Sequence, residues 1–363
     1  MSPPSKEPRP AEPPADPFGE RHRAGLRERF QLMGGQFHFE TDSPALARIV
    51  RTAYAELPSH KFAGTAPRFS VRLALAGTQR APAVTQRAPA VTRMESEPPR
   101  MRQFAAGEIL CGAMETASFV ALTPRQRSAL VVVSPEMLGF PYHLRYEILE
   151  FAVYVLASRA QGLVPLHAAC VGRGGRGILL LGSSGAGKST VSLHCLLEGL
   201  DFLAEDSVLV DPSGLATGVA NFLHVRPDSL RFLEDAGMAA RIRGSPVIRR
   251  RSGVEKFEID LRHPQYRLAA APLRIAAVVF LSPRHAGGRP LLAPMRNAQL
   301  TRALAASQRY AAKQPGWSVF TQRVRRLPAF ELRRGRHPLE AVEALKQLLP
   351  PAPTVSARKR ERR

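Results

Sequence analysis

The sequence predicts an α/β protein: a central β-sheet with flanking helices, preceded by a smaller β-containing N-terminal region. Three observations predict it. A glycine-rich loop, Gly182 to Ser189, sits between the apolar run Ile178 to Leu181 and a helix-like run. Strand-like and helix-like segments go on alternating after the loop, as a layered α/β arrangement requires. Short segments of period-two apolar alternation come before it. With 363 residues, 44% of them hydrophobic, the chain can bury a sizeable core in one or more domains.

Taken in order, residues 1–26 are rich in proline and charge and read as a disordered leader with no apolar signal core. Residues 27–140 read as an N-terminal α+β region. In it RFSVRLAL (68 to 75), ASFVAL (117 to 122) and SALVVVS (128 to 134) look like half-buried strands. The heptapeptide TQRAPAV occurs at 78 to 84 and again at 85 to 91, within a loop insertion spanning about 77–100; a single tandem copy cannot build a solenoid. Residues 141–350 read as the P-loop domain. They begin with a helix that Pro141 can start and on which Leu144, Ile148, Phe151 and Val155 share a face. LVPLHAACV and GRGILLLG then predict a hairpin across Gly172-Arg173-Gly174-Gly175. DSVLV, IAAVVFLSP, NAQLTRALAAS and a closing helix at 338 to 349 continue the alternation. Residues 351–363 form a basic tail.

Gly182-Ser183-Ser184-Gly185-Ala186-Gly187-Lys188-Ser189 fits GxxxxGK[ST], and Thr190 follows it. Glycines let successive backbone N–H groups curl around phosphate oxygens, and the helix that follows turns its positive end toward the same charge. In that pattern Lys188 neutralises β/γ-phosphate charge and Ser189 holds Mg²⁺, so ATP and Mg²⁺ are the expected cofactors. Phosphoryl transfer also needs a carboxylate near the metal and a group to orient or deprotonate the acceptor. Two places offer one: the pair Glu205-Asp206 ahead of Val208-Leu209-Val210, and Asp211 behind it, where a conventional metal-binding acid of P-loop proteins would stand. Neighbouring carboxylates can divide the work, one ligating metal and the other accepting a proton.

The stretch LHAACVGRGGRGILLLGSSGAGKSTVSLHCLLEGLDFLAEDSVLV (166 to 210) resembles the catalytic domain of HPr kinase/phosphorylase and the HPr-kinase-like serine kinases. The resemblance implies a P-loop kinase domain of that type, acting on a serine or other hydroxyl of a peptide or protein. It makes His167, Lys188, Glu205 and Asp206 the catalytic group. Glu205 would act as general base, Asp206 would hold Mg²⁺ together with Ser189, and His167 would tune the acidic pair. The family usually has two aspartates where this chain has Glu205-Asp206. It also carries an arginine-rich segment after them that has no counterpart here; Arg226, Lys256 and Arg249-Arg250-Arg251 are the cations that could contact phosphate instead. HPr kinases assemble into oligomers, so a second copy of the chain is a further partner to consider.

A net charge of +22 is compatible with an acidic acceptor and with nucleic acid, but no helicase set or base-stacking motif accompanies it. The alternatives are therefore a small-molecule kinase using Asp211 as metal ligand, and a nucleotide-dependent switch or nucleic-acid-binding ATPase. Three scattered cysteines (Cys111, Cys170, Cys195) and no apolar run of membrane-spanning length predict a protein of the reducing cytoplasm.

Overall fold

The computed structural model describes residues 25–76, 97–114 and 118–351. Nearly all of the leader, both TQRAPAV copies and the basic tail lie outside the described residues. The predicted α/β class holds: several sheets with packed helices make up the chain. No described helix is long and apolar enough to cross a membrane.

The first unit contains β1 (Leu26–Leu32), β2 (Gly35–Thr41), α1 (Pro44–Tyr54), β3 (Arg68–Leu75), β4 (Arg102–Ala106), β5 (Ile109–Met114), β6 (Ser118–Thr123) and β7 (Ser128–Val133). Its seven strands lie in the order β1-β2-β3-β7-β6-β5-β4. Ser43 caps α1 by accepting from the Leu46 N–H, and Pro44 fills the first turn, where its missing N–H costs nothing. Leu46, Val50 and Ala53 then face the sheet. The predicted helix after Pro141 is a composite of α2 (Pro141–His143), a π-wound stretch (Leu144–Leu149) and α3 (Glu150–Gln161), ended by Gly162 at φ 65°. Its buried side chains, among them Leu144, Ile148 and Val153, belong to the core of the seven-stranded sheet. The helix that opens the segment 141–350 thus packs on the seven-stranded sheet, in a core that also takes in Leu209 and Val219.

The second unit follows with β8 (Val164–Leu166), β9 (Ala169–Arg173), β10 (Arg176–Leu181), α4 (Lys188–Leu197), β11 (Asp201–Ala204), β12 (Val208–Val210), β13 (Leu215–Gly218) and β14 (Phe222–Val225). It continues through α5 (Ala236–Arg243), β15 (Val247–Arg249), β16 (Glu255–Asp260), β17 (Leu273–His285), β18 (Leu292–Pro294), α6 (Asn297–Ser307), α7 (Trp317–Val324), β19 (Ala329–Arg334) and α8 (Pro338–Lys346). The hairpin of β9 and β10 turns at Gly174-Gly175 as predicted, whereas β8 leaves it to pair with β12. The long β17 runs parallel to β10 on one side. On the other it meets β13 at its start and β19 from Val278 onward. Ile178 and Leu180 point into one apolar cluster and Leu179 and Leu181 into another, which is why β10 reads as an unbroken apolar run.

Main-chain and side-chain bonds lock the units together. Asn221 Nδ2 donates to Ala53 O at 2.9 Å and Arg262 Nη1 to Thr52 O at 2.9 Å. Buried His60 accepts from the Thr217 hydroxyl through Nδ1 at 2.8 Å and donates from Nε2 to Ala269 O at 2.8 Å. Desolvation lowers its pKa, as a neutral ring with one donor and one acceptor requires. His60→Leu strands both partners, and the expected loss is about 1–3 kcal/mol for each. Urea denaturation measures it, and a loss under about 0.5 kcal/mol would mean that the pair is dispensable.

Candidate functional site

Strand β10 delivers the chain to Gly182, and α4 leaves from Lys188. The loop between them turns through glycines at positive φ: Gly182 at 150°, Gly185 at 78° and Gly187 at 105°. At Gly182 space matters as well, because an added Cβ would lie 3.1 Å from both Ala186 Cβ and Leu281 O. Ser183 to Thr190 line a cavity of about 1100 Å³, together with His167, Glu205 and Asp206. The structure thus brings the sequence-predicted site residues to one place, Gly182 forming the base of the loop.

Lys188 folds back along the loop and donates to Gly182 O at 2.8 Å and Ser183 O at 3.5 Å. Burial lowers its pKa, opposed by the nearby Asp206 and Glu205 charges. The acidic pair occupies the bend between β11 and β12, where adjacent side chains diverge. Ser189 Oγ donates to Glu205 Oε1. Glu205 Oε2 accepts from the His224 backbone N–H at 2.9 Å, and Lys256 Nζ stands 3.9 Å from Oε1. Asp206 turns the other way, accepting from Arg250 Nη2 at 2.8 Å, while His167 Nδ1 donates to the Asp206 carbonyl at 3.1 Å. Burial pushes the Asp206 carboxyl up, but Arg250, His167 and Lys256 outweigh it and leave the pKa below the ordinary value. The residue on the P-loop serine is thus Glu205, whereas the family pattern had put Asp206 there.

Behind Glu205 lies a buried chain that the sequence reading missed. His224 Nδ1 lies 3.3 Å from Glu205 Oε2 and its Nε2 lies 3.2 Å from Glu258 Oε1, so both ring nitrogens face carboxylates. Arg145, from the π-wound stretch, closes the chain on Glu258. Burial lowers the His224 pKa, but hydrogen bonds to Glu205 and Glu258 raise it above its ordinary value; Glu258 moves below its own against the pull of burial. His224 and Glu258 are direct cross-strand partners on β14 and β16, and Lys256 lies two residues before Glu258 on the same side of the strand. Charged residues alternating within VEKFEIDL, and a histidine in the short strand FLHV, were the available signals.

The other expected contacts divide. Arg250 reaches the site. Arg251 binds both carboxylate oxygens of Glu147, at 2.7 and 2.6 Å, and Arg226 pairs at 3.5 Å with Asp228 on the cavity wall. Arg249 lies on β15 outside the lining. Asp211 also lies outside it, its carboxylate accepting from Ser213 Oγ at 2.8 Å and from the Leu215 N–H at 2.7 Å, as a turn-forming aspartate does. Asp211 thus stands in a turn outside the cavity that holds the P-loop.

Glu150 on α3 borders the cavity beside these charges, and burial pushes its pKa up to about 8. A carboxyl raised above its unfolded value of 4.5 contributes stability that is full below that value and is lost as the pH rises through about 8. Glu150→Gln, which cannot ionise, is expected to have a higher Tm than the wild type at pH 8, with the two converging near pH 4.5. Parallel Tm curves across that range would show that Glu150 ionises freely in the fold.

Fold and site together define an α/β protein with a P-loop sequence set between a buried strand and a helix. No family model and no curated protein sequence matches the chain. Among solved structures it is similar to the Hpr(Ser) kinase/phosphatase from Coxiella burnetii, at 12% identity and a TM-score of 0.28, over 51% of this chain and 96% of that one. A likeness at that score carries no weight for activity, which must be argued from this chain's own residues.

Proposed function

We propose that the chain is an ATP-dependent phosphotransferase whose acceptor is a serine or other hydroxyl on a peptide or protein. The observation that carries the reading is the convergence in one cavity of the P-loop, the Ser189–Glu205 pair and the Asp206–His167 pair. A hydroxyl and a carboxylate at a helix N-terminus are hard oxygen donors, and they fit Mg²⁺. Bound there, Mg²⁺ would supply charge neutralisation for the phosphate oxygens.

The loop amides and Lys188 bind and orient the phosphates. Ser189 and Glu205 supply the oxygens for the metal, with His224, Lys256 and the His224 N–H fixing the Glu205 carboxylate. Asp206, steered by Arg250, accepts the proton of the acceptor hydroxyl as that oxygen bonds to the γ-phosphorus and ADP leaves. His167 holds the Asp206 main chain. The contacts of the two carboxylates favour this division over the reverse one that the family pattern implies.

The two carboxylates give separable results. With a labelled nucleotide, Glu205→Gln is expected to raise the Mg²⁺ concentration needed for half-maximal binding by about 10–100-fold. Asp206→Asn should bind nucleotide normally yet lose about a hundredfold or more in transfer. Full transfer by Asp206→Asn, or unchanged metal dependence in Glu205→Gln, would reverse the roles.

A further inference from the structure

A second cavity, of about 880 Å³, meets the first at Glu150, Tyr154, His167 and Asp206. One wall is the approach to β4 and its start, with Arg100, Met101 and Gln103. A second is α3, through Phe151 and Val155, and a third is the segment after α6. That last segment also fixes the catalytic side of the site. Buried Gln308 accepts from the His167 N–H at 2.8 Å and donates to His167 O at 3.1 Å, holding the backbone from both directions. Arg309 and Tyr310 follow directly and face the cavity, Tyr310 being 53% exposed.

The charges of this cavity are unevenly settled. Arg251 engages Glu147, and Arg250 engages Asp206. Arg100 and Arg309, both exposed, have no ion pair or side-chain hydrogen bond among the described residues. What remains is a positive mouth over an apolar interior of Met101, Phe151 and Leu166, leading to Asp206.

We infer that this second cavity is the acceptor site, and that it takes an acidic polypeptide segment whose carboxylates meet Arg100 and Arg309 while its hydroxyl reaches Asp206 and His167. The inference rests on the phosphotransferase reading for its chemistry: the acceptor oxygen bonds to the γ-phosphorus of ATP, the bond from that phosphorus to the β–γ bridging oxygen breaks, the hydroxyl proton passes to Asp206, and ADP departs. Apolar and aromatic walls beside exposed arginines suit a chain with mixed side chains better than a wholly polar metabolite.

Fluorescent serine peptides flanked by aspartate and glutamate, and counterparts flanked by lysine, test it by anisotropy without nucleotide. The wild type is expected to prefer the acidic peptide. Arg100→Glu and Arg309→Glu should each weaken it by about two- to fivefold, and the double variant by about tenfold, with the preference for lysine peptides rising. Affinity for a fluorescent ADP should not change, and an unchanged Tm shows that these surface substitutions leave the fold intact. Equal affinity of the wild type for both peptides, a preference that survives charge reversal, or transfer to free serine as efficient as to the acidic peptide would each overturn the inference. Failure to bind ADP with the peptide preference intact would instead sink the phosphotransferase reading and leave the peptide site standing.

Discussion

Lys188→Ala is expected to lower phosphoryl transfer by about 10³-fold or more while leaving the protein as stable as before. Lys188 is 7% exposed, and its ammonium already lies on the loop carbonyls Gly182 O and Ser183 O, so it is positioned at the cavity before any ligand arrives. Removing it takes away the one lysine of the loop, and the backbone amides cannot replace a full charge as the phosphate separates. Stability responds differently. A cation in the first turn of α4 opposes the helix dipole, so its loss is neutral or slightly favourable to the fold. Transfer assays beside thermal denaturation separate the two effects. Transfer within about tenfold of the wild type would show that phosphate charge is met elsewhere in the cavity.

The second large effect is expected far from the loop. Arg145→Ala removes the cation that closes the chain Glu205–His224–Glu258, and it leaves Glu258, 7% exposed, with a single partner. It also removes a guanidinium stacked 4.3 Å from the Phe222 ring centroid and 5.0 Å from that of Tyr146. Breaking a buried pair from one side costs about 3–5 kcal/mol. For a protein of this size that is a fall in Tm of roughly 10 °C. The double variant Arg145→Leu/Glu258→Leu should lose less than the two single variants together, because neither charge is then left alone. Strict additivity in the denaturation data would mean that the two side chains do not act as a pair.

The parts of the protein that local sequence encodes were legible. GxxxxGKS between an apolar run and a helical run gave the strand, the loop and α4. Ala169 to Leu181 gave the hairpin, since a glycine pair between β-rich segments has few other uses. What periodicity does not encode is the partner of an apolar face. The helix after Pro141 was visible as a helix, but its contact with the seven-stranded sheet depends on strands far earlier in the chain. Glu205 and Asp206 show the same limit at the scale of one bond. Adjacency put both at the site, but the bend after Ala204 sends one to Ser189 and the other to Arg250. Arg145, His224 and Glu258 were invisible for a related reason: more than a hundred residues separate Arg145 from Glu258, and only the folded sheet brings them together.

That last contact has a consequence for how affinity is distributed in the molecule. Arg145 belongs to a helix packed on a sheet that contributes no residue to the P-loop, yet it ends the chain of charges that holds Glu205. Docking of the two units and occupancy of the Glu205 oxygens therefore share one free energy, and such coupling is reciprocal. Whatever factor correct docking adds to the affinity for a ligand at Glu205, that ligand returns to docking, so the seven-stranded sheet would act at a distance on whatever the P-loop cavity binds.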